Sequence, residues 1–380
     1  MMGKNNSLRD INGLFIPPAL RYCAAVPPGL VGVWLIIVPR RFQVNVSFVG
    51  WYGRSNCGDE AFKEAHRVVL PDAALAWFCE ERLAANPDTR FVLGGGDVFL
   101  DYYLDCIPAD ANFWVYGVGI GGTREYDLVV AHKHRINGIW LRNRGDVEVL
   151  NGLGVQAHYT PDSVFNLRKQ TLAWVRPPRG LLPRLYVILS NNLYQSAQRE
   201  GLIGRLCYLE YFKHELASSL DWLAQFYQII LMPFSTDPND FDPGFCADVY
   251  SLMHKFNRKT NGDPAVRFLG EAPSPMKALE MLHGADMVLT MKFHGLVFAT
   301  LLGVPFVNIG LSRKNQMFCA DNGLSHLSIE DYSFSKDRLL EKVKAAESPE
   351  ARLAVQNLGA ELAGLAEVAA AKFRESLRAS

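Results

Sequence analysis

Apolar and polar positions alternate along this chain in short blocks that repeat as strand, turn and helix. Residues 44–49, 90–93, 113–118 and 139–142 are apolar runs of strand length, and each is followed by glycines or by a polar loop. Segments with helical spacing separate several of these runs. Parallel strands need crossover connections of this length, so the pattern predicts an α/β fold whose parallel sheet is covered on both faces.

The repeating pattern is interrupted at residues 167–184, which contain the sequence Arg176-Pro-Pro-Arg-Gly. Proline, glycine and arginine in such a cluster are typical of an interdomain linker. The strand and helix pattern then resumes. We therefore predict two Rossmann-like domains with a cleft between them, over residues 1–166 and 185–345. A C-terminal helix over residues 346–380 is expected to pack back on a domain.

The segment 286–310 is the most informative part of the second domain. It consists of an apolar strand, a polar break with Lys292 and His294, a helix of small and apolar residues, and a second apolar strand. Ligands of open α/β sheets bind at the carboxyl ends of strands, near helix N-termini. The pattern predicts that an imidazole and an ammonium group face a small anionic substrate there.

Three consecutive glycines follow a predicted strand of the first domain, namely Gly94, Gly95 and Gly96. Backbone without a Cβ atom can approach a ligand closely and present N–H donors. The alternative is a plain tight turn. The glycines do not form a Walker loop, because no Gly-Lys-Ser or Gly-Lys-Thr follows them.

Polar residues lie at the first strand–helix junction of the same domain. Asn56, Asp59 and Glu60 could bind sugar hydroxyls, or Asn56 and Asp59 could cap the helix, and spacing alone favours capping. Further along, Arg142 and Arg144 flank Asn143 and could hold an anion or pair with Asp146. We favour pairing at the surface for both.

Charge and composition limit the classes of partner. The chain has 380 residues, with 39 Lys and Arg against 39 Asp and Glu, so its formal net charge is zero. This balance argues against a nucleic-acid partner. The apolar run 30–38 is too short to span a bilayer. We interpret it as a buried strand; the alternative is a peripheral membrane contact helped by Arg40 and Arg41.

The seven cysteines are scattered and include no CxxC pair. Free thiols in a reducing compartment are therefore expected. The nine histidines show no metal-ligand spacing with cysteine or acidic residues. We predict no metal site.

An ordered set of motifs resembles the polysaccharide pyruvyl transferase family over residues 44–312. The motifs are Gly50-Trp-Tyr-Gly-Arg-Ser-Asn-Cys-Gly-Asp-Glu-Ala, the glycines 94–96, Tyr116-Gly-Val-Gly, Arg142-Asn-Arg, Leu153-Gly-Val, Pro161-Asp162 and Phe293-His-Gly-Leu-Val-Phe-Ala with Gly303-Val-Pro. The resemblance implies the two-domain architecture of GT-B glycosyltransferases. It also implies transfer of a pyruvyl group from phosphoenolpyruvate to two hydroxyls of one sugar, which forms a cyclic ketal and releases phosphate.

The resemblance assigns expected roles to residues of both domains. His294 is the expected acid/base residue, and Lys292, Asn191 and Gly295 are expected to bind the donor. The first domain is the acceptor side, with Asn56, Asp59, Glu60, Gly94, Gly95 and Gly96. Phosphoenolpyruvate is a co-substrate, and no further cofactor is implied.

The implied acceptor is a sugar of a bacterial surface polysaccharide or of its lipid-linked precursor. The implied location is the cytoplasm, or a peripheral position at the inner face of the plasma membrane. Two positions depart from the family pattern. Lys292 stands where the family usually has arginine, and Ser190-Asn-Asn stands where Ser-Leu-Arg is frequent, so Arg199 is a candidate replacement for the missing arginine.

Two other functions are compatible with the same architecture. The first is a glycosyltransferase that uses a nucleotide sugar, in which Glu271 or Glu280 would bind the ribose. The second is a glycan-binding protein without catalysis, a reading that the two departures from the family pattern support.

Overall fold

Two parallel β-sheets, each layered with helices, form the core of the chain. The computed structural model describes residues 44–178, 180–254, 259–260 and 263–379. The run 30–38, with Arg40 and Arg41, lies outside the described residues. The described residues all belong to one compact unit. The domain boundaries that we set from the sequence remain a prediction.

Within the described residues the first sheet has six strands, which are β1 (Asn45–Val49), β2 (Ala74–Phe78), β3 (Thr89–Gly96), β4 (Phe113–Val118), β5 (Ile136–Leu141) and β6 (His158–Tyr159). Their order across the sheet is β2-β1-β3-β4-β5-β6, and all neighbours are parallel. The sequence pattern did not predict β2. All five residues of this edge strand are half-buried, so it has neither the alternation nor the full burial of a recognisable strand.

The helices around the first sheet are α1 (Cys57–Val69), α2 (Asp101–Leu104), α3 (Thr123–His132), α4 (Arg144–Gly152) and α5 (Arg168–Leu172), with 3-10 turns at Lys133–Arg135 and Ser163–Leu167. Helix α1 begins where Asn56 accepts a hydrogen bond from Gly58 N, as an N-cap residue does. Its inner face buries Ala61, Phe62 and Ala65, which pack under β1 and β3.

The second sheet, in the part of the chain that the structure describes, has five parallel strands, which are β7 (Arg184–Ile188), β8 (Gln228–Leu231), β11 (Val266–Phe268), β12 (Met287–Thr290) and β13 (Phe306–Asn308). Their order is β11-β8-β7-β12-β13. A separate antiparallel pair is formed by β9 (Lys259–Thr260) and β10 (Asp263–Pro264).

The helices of the second half are α6 (Asn192–Arg199), α7 (Ile203–Leu223), α8 (Asp242–Leu252), α9 (Pro275–His283), α10 (Phe293–Leu302), α11 (Arg313–Asp321), α12 (Lys336–Glu347) and α13 (Pro349–Ala379), with a 3-10 turn at Ser325–Leu327. Helix α10 is apolar on every side and almost wholly buried, as a helix inside the core must be. It ends at Gly303, whose φ of 68° is left-handed and favours glycine.

Helix α13 extends from the second sheet to the first. Near its middle, Gly359 lies against the carbonyl oxygen of Thr300 in α10. Near its end, Phe373 stacks on Tyr116 of β4 with ring centroids 4.3 Å apart. The helix therefore contributes to the cores under both sheets.

Candidate active site

A cavity of about 430 Å³ lies between the carboxyl ends of the two sheets. In each sheet the strand order reverses once, between β1 and β3 and between β7 and β12. Ligands of open α/β sheets bind at such reversal points. The first half of the chain contributes Asn56, Asp59, Gly96, Asp97, Tyr103 and Arg142 to the walls, and the second half contributes Ser190, Asn192, Asp240, Lys292, His294 and Lys314.

Backbone hydrogen bonds join the two halves beside this cavity. Cys57 N donates to Phe234 O at 2.6 Å, and Thr236 N donates to Ser55 O at 3.0 Å. Asn56 and Ser235 between them form an antiparallel bridge. We call these two segments, residues 55–57 and 234–236, the clasp. The clasp holds the start of α1 against the loop that follows β8.

His294 is the second residue of α10 and lines the cavity, although only 8% of it is exposed. Its ring lies edge-on to Phe62, with centroids 5.0 Å apart. A methyl group added to Gly58 would lie 2.1 Å from His294 Nδ1, so the ring needs a glycine at that position of α1. Burial, together with the positive charges of Arg142 and Lys314, holds the pKa of His294 well below its ordinary value. The imidazole is therefore neutral at neutral pH.

Asp162 and Arg142 lie behind this imidazole. His294 Nε2 is 3.7 Å from Asp162 Oδ2, and Arg142 Nη1 is 3.4 Å from the same oxygen. Arg142 also pairs with Asp97, which lies 3.6 Å from Lys314 Nζ. The favoured surface pair between Arg142 and Asp146 is therefore wrong. Arg142 is buried, and the Asp146 carboxylate instead accepts hydrogen bonds from Ile120 N, Tyr126 and Asn143.

Lys292 faces the cavity, but two carboxylates hold its ammonium group. The Nζ atom contacts Asp240 and lies 3.0 Å from Asp242 Oδ2. Burial alone would lower the pKa of Lys292, and Asp242 and Asp240 raise it above its ordinary value. Asp242 also accepts hydrogen bonds from the backbone of Phe234 and Ser235, so it fixes the loop that carries Asp240. An incoming anion must therefore compete with Asp240 for this lysine.

Two expected donor-binding residues are not among the residues that line the cavity. Gly295 N donates to Lys292 O, and a methyl group at Gly295 would lie 2.1 Å from Thr290 Oγ1, so this glycine serves close packing under β12. Asn191 N donates to Asp242 Oδ1 at 3.1 Å. Its neighbours Ser190 and Asn192 line the cavity in its place. Arg199, the candidate replacement for the missing arginine, lines it as well.

The expected acceptor-side residues divide into two groups. Asn56, Asp59 and Gly96 line the cavity. The other three are not among its lining residues, which are Glu60, Gly94 and Gly95.

The reasons for this division are local contacts. Glu60 accepts from Gly53 N and pairs with Lys63 at 2.7 Å, away from the cavity. Gly94 and Gly95 belong to β3 itself rather than to a loop beyond it. A methyl group on Gly94 would meet Phe48 at 2.8 Å, and one on Gly95 would meet Phe62 at 2.4 Å. Gly94 and Gly95 leave space for aromatic side chains of the core, and only Gly96 faces the cavity.

Asp97, Asp162, Asp240 and Lys314 belong to the site, but the sequence pattern did not select them. Asp97 directly follows β3, so the rule that ligands bind after strands could have found it. Lys314 lies six positions after β13 ends at Asn308. Asp162 lies three positions after β6 and belongs to the Pro161-Asp162 motif, so the same rule could have found it. Asp240 lies nine positions after β8, and it meets Lys292 only in the folded chain.

In the described part of the chain, no group of three or more His, Cys, Asp or Glu side chains is arranged to hold a metal ion. No helix in the same residues is both long enough and apolar enough to cross a membrane. The six cysteines that the structure describes are free.

Comparison with solved structures supports the GT-B-like fold. UDP-GlcNAc 2-epimerase from Neisseria meningitidis, bound to UDP-GlcNAc, is similar with a TM-score of 0.55 and 10% identity, over 87% of this chain and 99% of that one. The corresponding epimerase from Rickettsia bellii gives 0.51 and 13% identity, over 89% and 96%. A ugt transferase from Siraitia grosvenorii in complex with UDP gives 0.50 and 10%, over 88% and 100%. At these identities the likeness concerns the fold alone, which is α/β with two parallel sheets and a cleft.

Sequence comparison identifies the family. The search of curated proteins found no match to the chain. The family described as polysaccharide pyruvyl transferase matches residues 45–313, which include both sheets and the cavity between them. The chain belongs to the polysaccharide pyruvyl transferase family.

Proposed function

We propose that this chain transfers the pyruvyl group of phosphoenolpyruvate to two hydroxyls of one sugar residue, forming a cyclic ketal and releasing phosphate. The acceptor in this proposal is a bacterial surface polysaccharide or its lipid-linked precursor. The reaction would take place in the cytoplasm, at the inner face of the plasma membrane for a lipid-linked acceptor. No cofactor takes part besides the donor itself.

One observation carries the proposal: a neutral imidazole and a set of cations line the same cavity. His294 supplies the imidazole, and Lys314, Arg142 and Lys292 supply the positive charges. Attack of a hydroxyl on the enol carbon requires a base for the hydroxyl proton and a proton donor for the methylene. The phosphate and carboxylate of the donor require cations or backbone N–H groups.

The second half of the chain suits the anionic donor. Helix α10 begins beside the cavity, and no side chain caps its N-terminus. Free N–H groups and the helix dipole favour a phosphate or carboxylate there. Lys314, whose side chain is 41% exposed, is the cation most open to a ligand among the three that we name.

The first half of the chain suits a sugar. Asn56 and Tyr103 carry polar groups that line the cavity from the first half of the chain, and Trp51 adds an aromatic face. Amides and carboxylates fix hydroxyl orientation by hydrogen bonds, and the aromatic surface covers the apolar face of a sugar ring. We therefore place the acceptor on this side.

Phosphate release tests the proposal. The purified chain is incubated with phosphoenolpyruvate and a panel of methyl glycosides of glucose, galactose and mannose, and inorganic phosphate is measured. We expect His294→Asn to lower the rate by roughly 10²–10⁴-fold, the usual contribution of a general acid or base. We expect Lys314→Met to raise KM for phosphoenolpyruvate.

Lys277→Met is the matched control, because Lys277 is exposed on α9 and pairs with Glu280 away from the cavity. An unchanged rate in the His294→Asn variant would remove this residue from the mechanism. Thermal stabilisation by a UDP-hexose, with none by phosphoenolpyruvate, would favour the nucleotide-sugar glycosyltransferase instead. For that alternative, neither Glu271 nor Glu280 is among the residues that line the cavity.

A further inference from the structure

Asp59 is an acidic side chain of the cavity without a hydrogen-bond or ion-pair partner among the described residues. It lines the cavity from the first turn of α1, and within the described residues its carboxylate makes neither a hydrogen bond nor an ion pair. The neighbouring carboxylates are engaged, since Asp97 contacts Arg142 and Asp240 contacts Lys292. An unpaired carboxylate in a cleft is available to exchange a proton with a ligand.

A glycine lies beside Asp59 at the cavity wall. Gly96 ends β3 with a left-handed φ of 81°, which favours glycine, and a methyl group there would be in ordinary contact with Asp59 Oδ1 at 3.5 Å. On the other side, Gly58 directly precedes Asp59 and touches the ring of His294. Asp59 and His294 therefore occupy adjoining walls of one cavity, one on α1 and the other on α10.

The protonation states of these two residues are complementary. His294 is neutral and can accept a proton. Burial raises the pKa of Asp59 to about 7, against the opposing effect of its cationic neighbours. The charged groups that face Asp59 are Lys314, Lys292, Arg142 and Asp240, and the titratable groups nearby are Tyr52, Cys57 and Tyr103. Two groups whose environments drive their pKa values in opposite directions are suited to separate acid and base roles.

We propose that Asp59 is a second catalytic residue, which donates the proton that turns the methylene of phosphoenolpyruvate into the methyl group of the ketal. This inference rests on the proposed function. In the first step the Asp59 proton bonds to C3, an acceptor hydroxyl oxygen bonds to C2, and the hydroxyl proton passes to His294. The product of this step is a tetrahedral adduct that still carries phosphate.

In the second step the bond between C2 and the phosphate oxygen breaks, and the second hydroxyl oxygen bonds to C2. The imidazolium of His294 gives its proton to the leaving phosphate. The proton of the second hydroxyl passes to the Asp59 carboxylate, which restores the acid. Each turnover thus consumes two hydroxyl protons, one delivered to carbon and one to phosphate, and both residues return to their starting states.

Asp59→Asn tests the role because it keeps the size of the side chain and removes its proton. We expect phosphate release to fall by about 10²–10⁴-fold, the range for loss of a general acid. Asp59→Glu should recover part of the rate. Glu64→Gln is the matched control: it makes the same change of charge on α1, but Glu64 pairs with Arg67 outside the cavity.

Phosphoenolpyruvate affinity, measured by calorimetry from pH 6 to pH 8.5, gives a readout that needs no acceptor. Ionisation of Asp59 above pH 7 places a negative charge beside the anionic donor. We therefore expect Kd to rise with pH in the unmodified protein and in Glu64→Gln, and this rise to be reduced in Asp59→Asn. If Asp59 has only a structural role, Asp59→Asn should change the melting temperature and leave the pH dependence of Kd as it is in the unmodified protein.

The outcomes separate the two proposals. If the unmodified protein does not bind phosphoenolpyruvate, the proposed function fails and the role of Asp59 fails with it. If the donor binds, but Asp59→Asn keeps the original rate and pH profile, the role of Asp59 alone is overturned. If none of the probe sugars is turned over, the binding profile decides: an unchanged profile in Asp59→Asn refutes the inference, and a reduced one supports it.

Discussion

Replacement of Gly58 by alanine should lower the rate of phosphate release strongly while changing the free energy of unfolding only slightly. The added methyl group would lie 2.1 Å from Nδ1, 2.4 Å from Cγ and 2.8 Å from Cβ of His294. Non-bonded heavy atoms prefer separations of about 3.5–4.0 Å, so the ring or the start of α1 must move by more than about 1 Å. The ring has little room to withdraw, because Phe62, Phe293 and Phe298 surround it.

The two effects on stability largely cancel. Alanine is favoured over glycine in a helix by up to about 1 kcal/mol, whereas overpacking costs about 1–3 kcal/mol. We therefore expect Gly58→Ala to lose about 0–2 kcal/mol in the free energy of unfolding. Misplacement of a reacting group by about 1 Å costs on the order of 100-fold in rate, so phosphate release should fall by about that factor.

Urea unfolding and phosphate release on the same preparation give both numbers. Gly364→Ala is the control, because this exposed glycine of α13 has no atom within 4 Å of the added methyl group. It should gain about 1 kcal/mol from helix propensity and keep full activity. If Gly58→Ala keeps both the rate and the stability of the original protein, the close contact between α1 and His294 is refuted.

Two further changes test the core. Gly359→Ala would place a methyl group 2.1 Å from Thr300 O, so we expect urea unfolding to show a loss of about 1–3 kcal/mol in the free energy of unfolding. Gly364→Ala on the same helix is the control and should not destabilise the protein. Equal stability of the two variants would contradict the close approach of α13 to α10. Burial lowers the pKa of His66 to about 3. As the pH falls from 6.5 towards 3, His66 becomes protonated in the unfolded state but stays neutral in the folded state. The free energy of unfolding therefore decreases over this range. His66→Phe, which keeps a ring against Phe48, should reduce this loss between pH 6 and pH 4 by up to about 1.4 kcal/mol per pH unit, and an unchanged slope would show that His66 is protonated in the folded state.

The alternation of strand and helix was readable from the sequence because buried parallel strands are short, apolar and ended by glycine or polar loops. Strands β1, β4 and β12 all follow this pattern. Edge strand β2 does not, because half-buried residues need no strict pattern. The glycines 94–96 belong to β3, although the sequence predicts that they follow the strand. Only the folded structure shows that Gly94 and Gly95 pack against Phe48 and Phe62, while Gly96 lines the cavity.

The position of His294 could be predicted because its signal is local: a strand end, a glycine and a helix start lie within a few residues. Its companions come from distant parts of the chain. Asp162 lies more than 130 positions earlier and reaches the imidazole only after both sheets have formed. The same limitation explains why Gly295 is predicted to bind the donor but packs under β12. The sequence cannot show whether a glycine after a catalytic residue faces a ligand or the strand beneath it.

Helix α13 has a consequence for how the protein folds during synthesis. Trp114 of β4 donates its indole hydrogen bond to Ser376, and Arg374 donates to the carbonyl oxygen of Val69 at 3.0 Å. A nascent chain that ends after β6 would leave Trp114 and Tyr116 uncovered on one face of an otherwise finished sheet. The ribosome must add more than two hundred residues before α13 can cover that face. During this interval we expect the N-terminal sheet to be an incomplete folding intermediate with exposed aromatic surface, and therefore a substrate for chaperones.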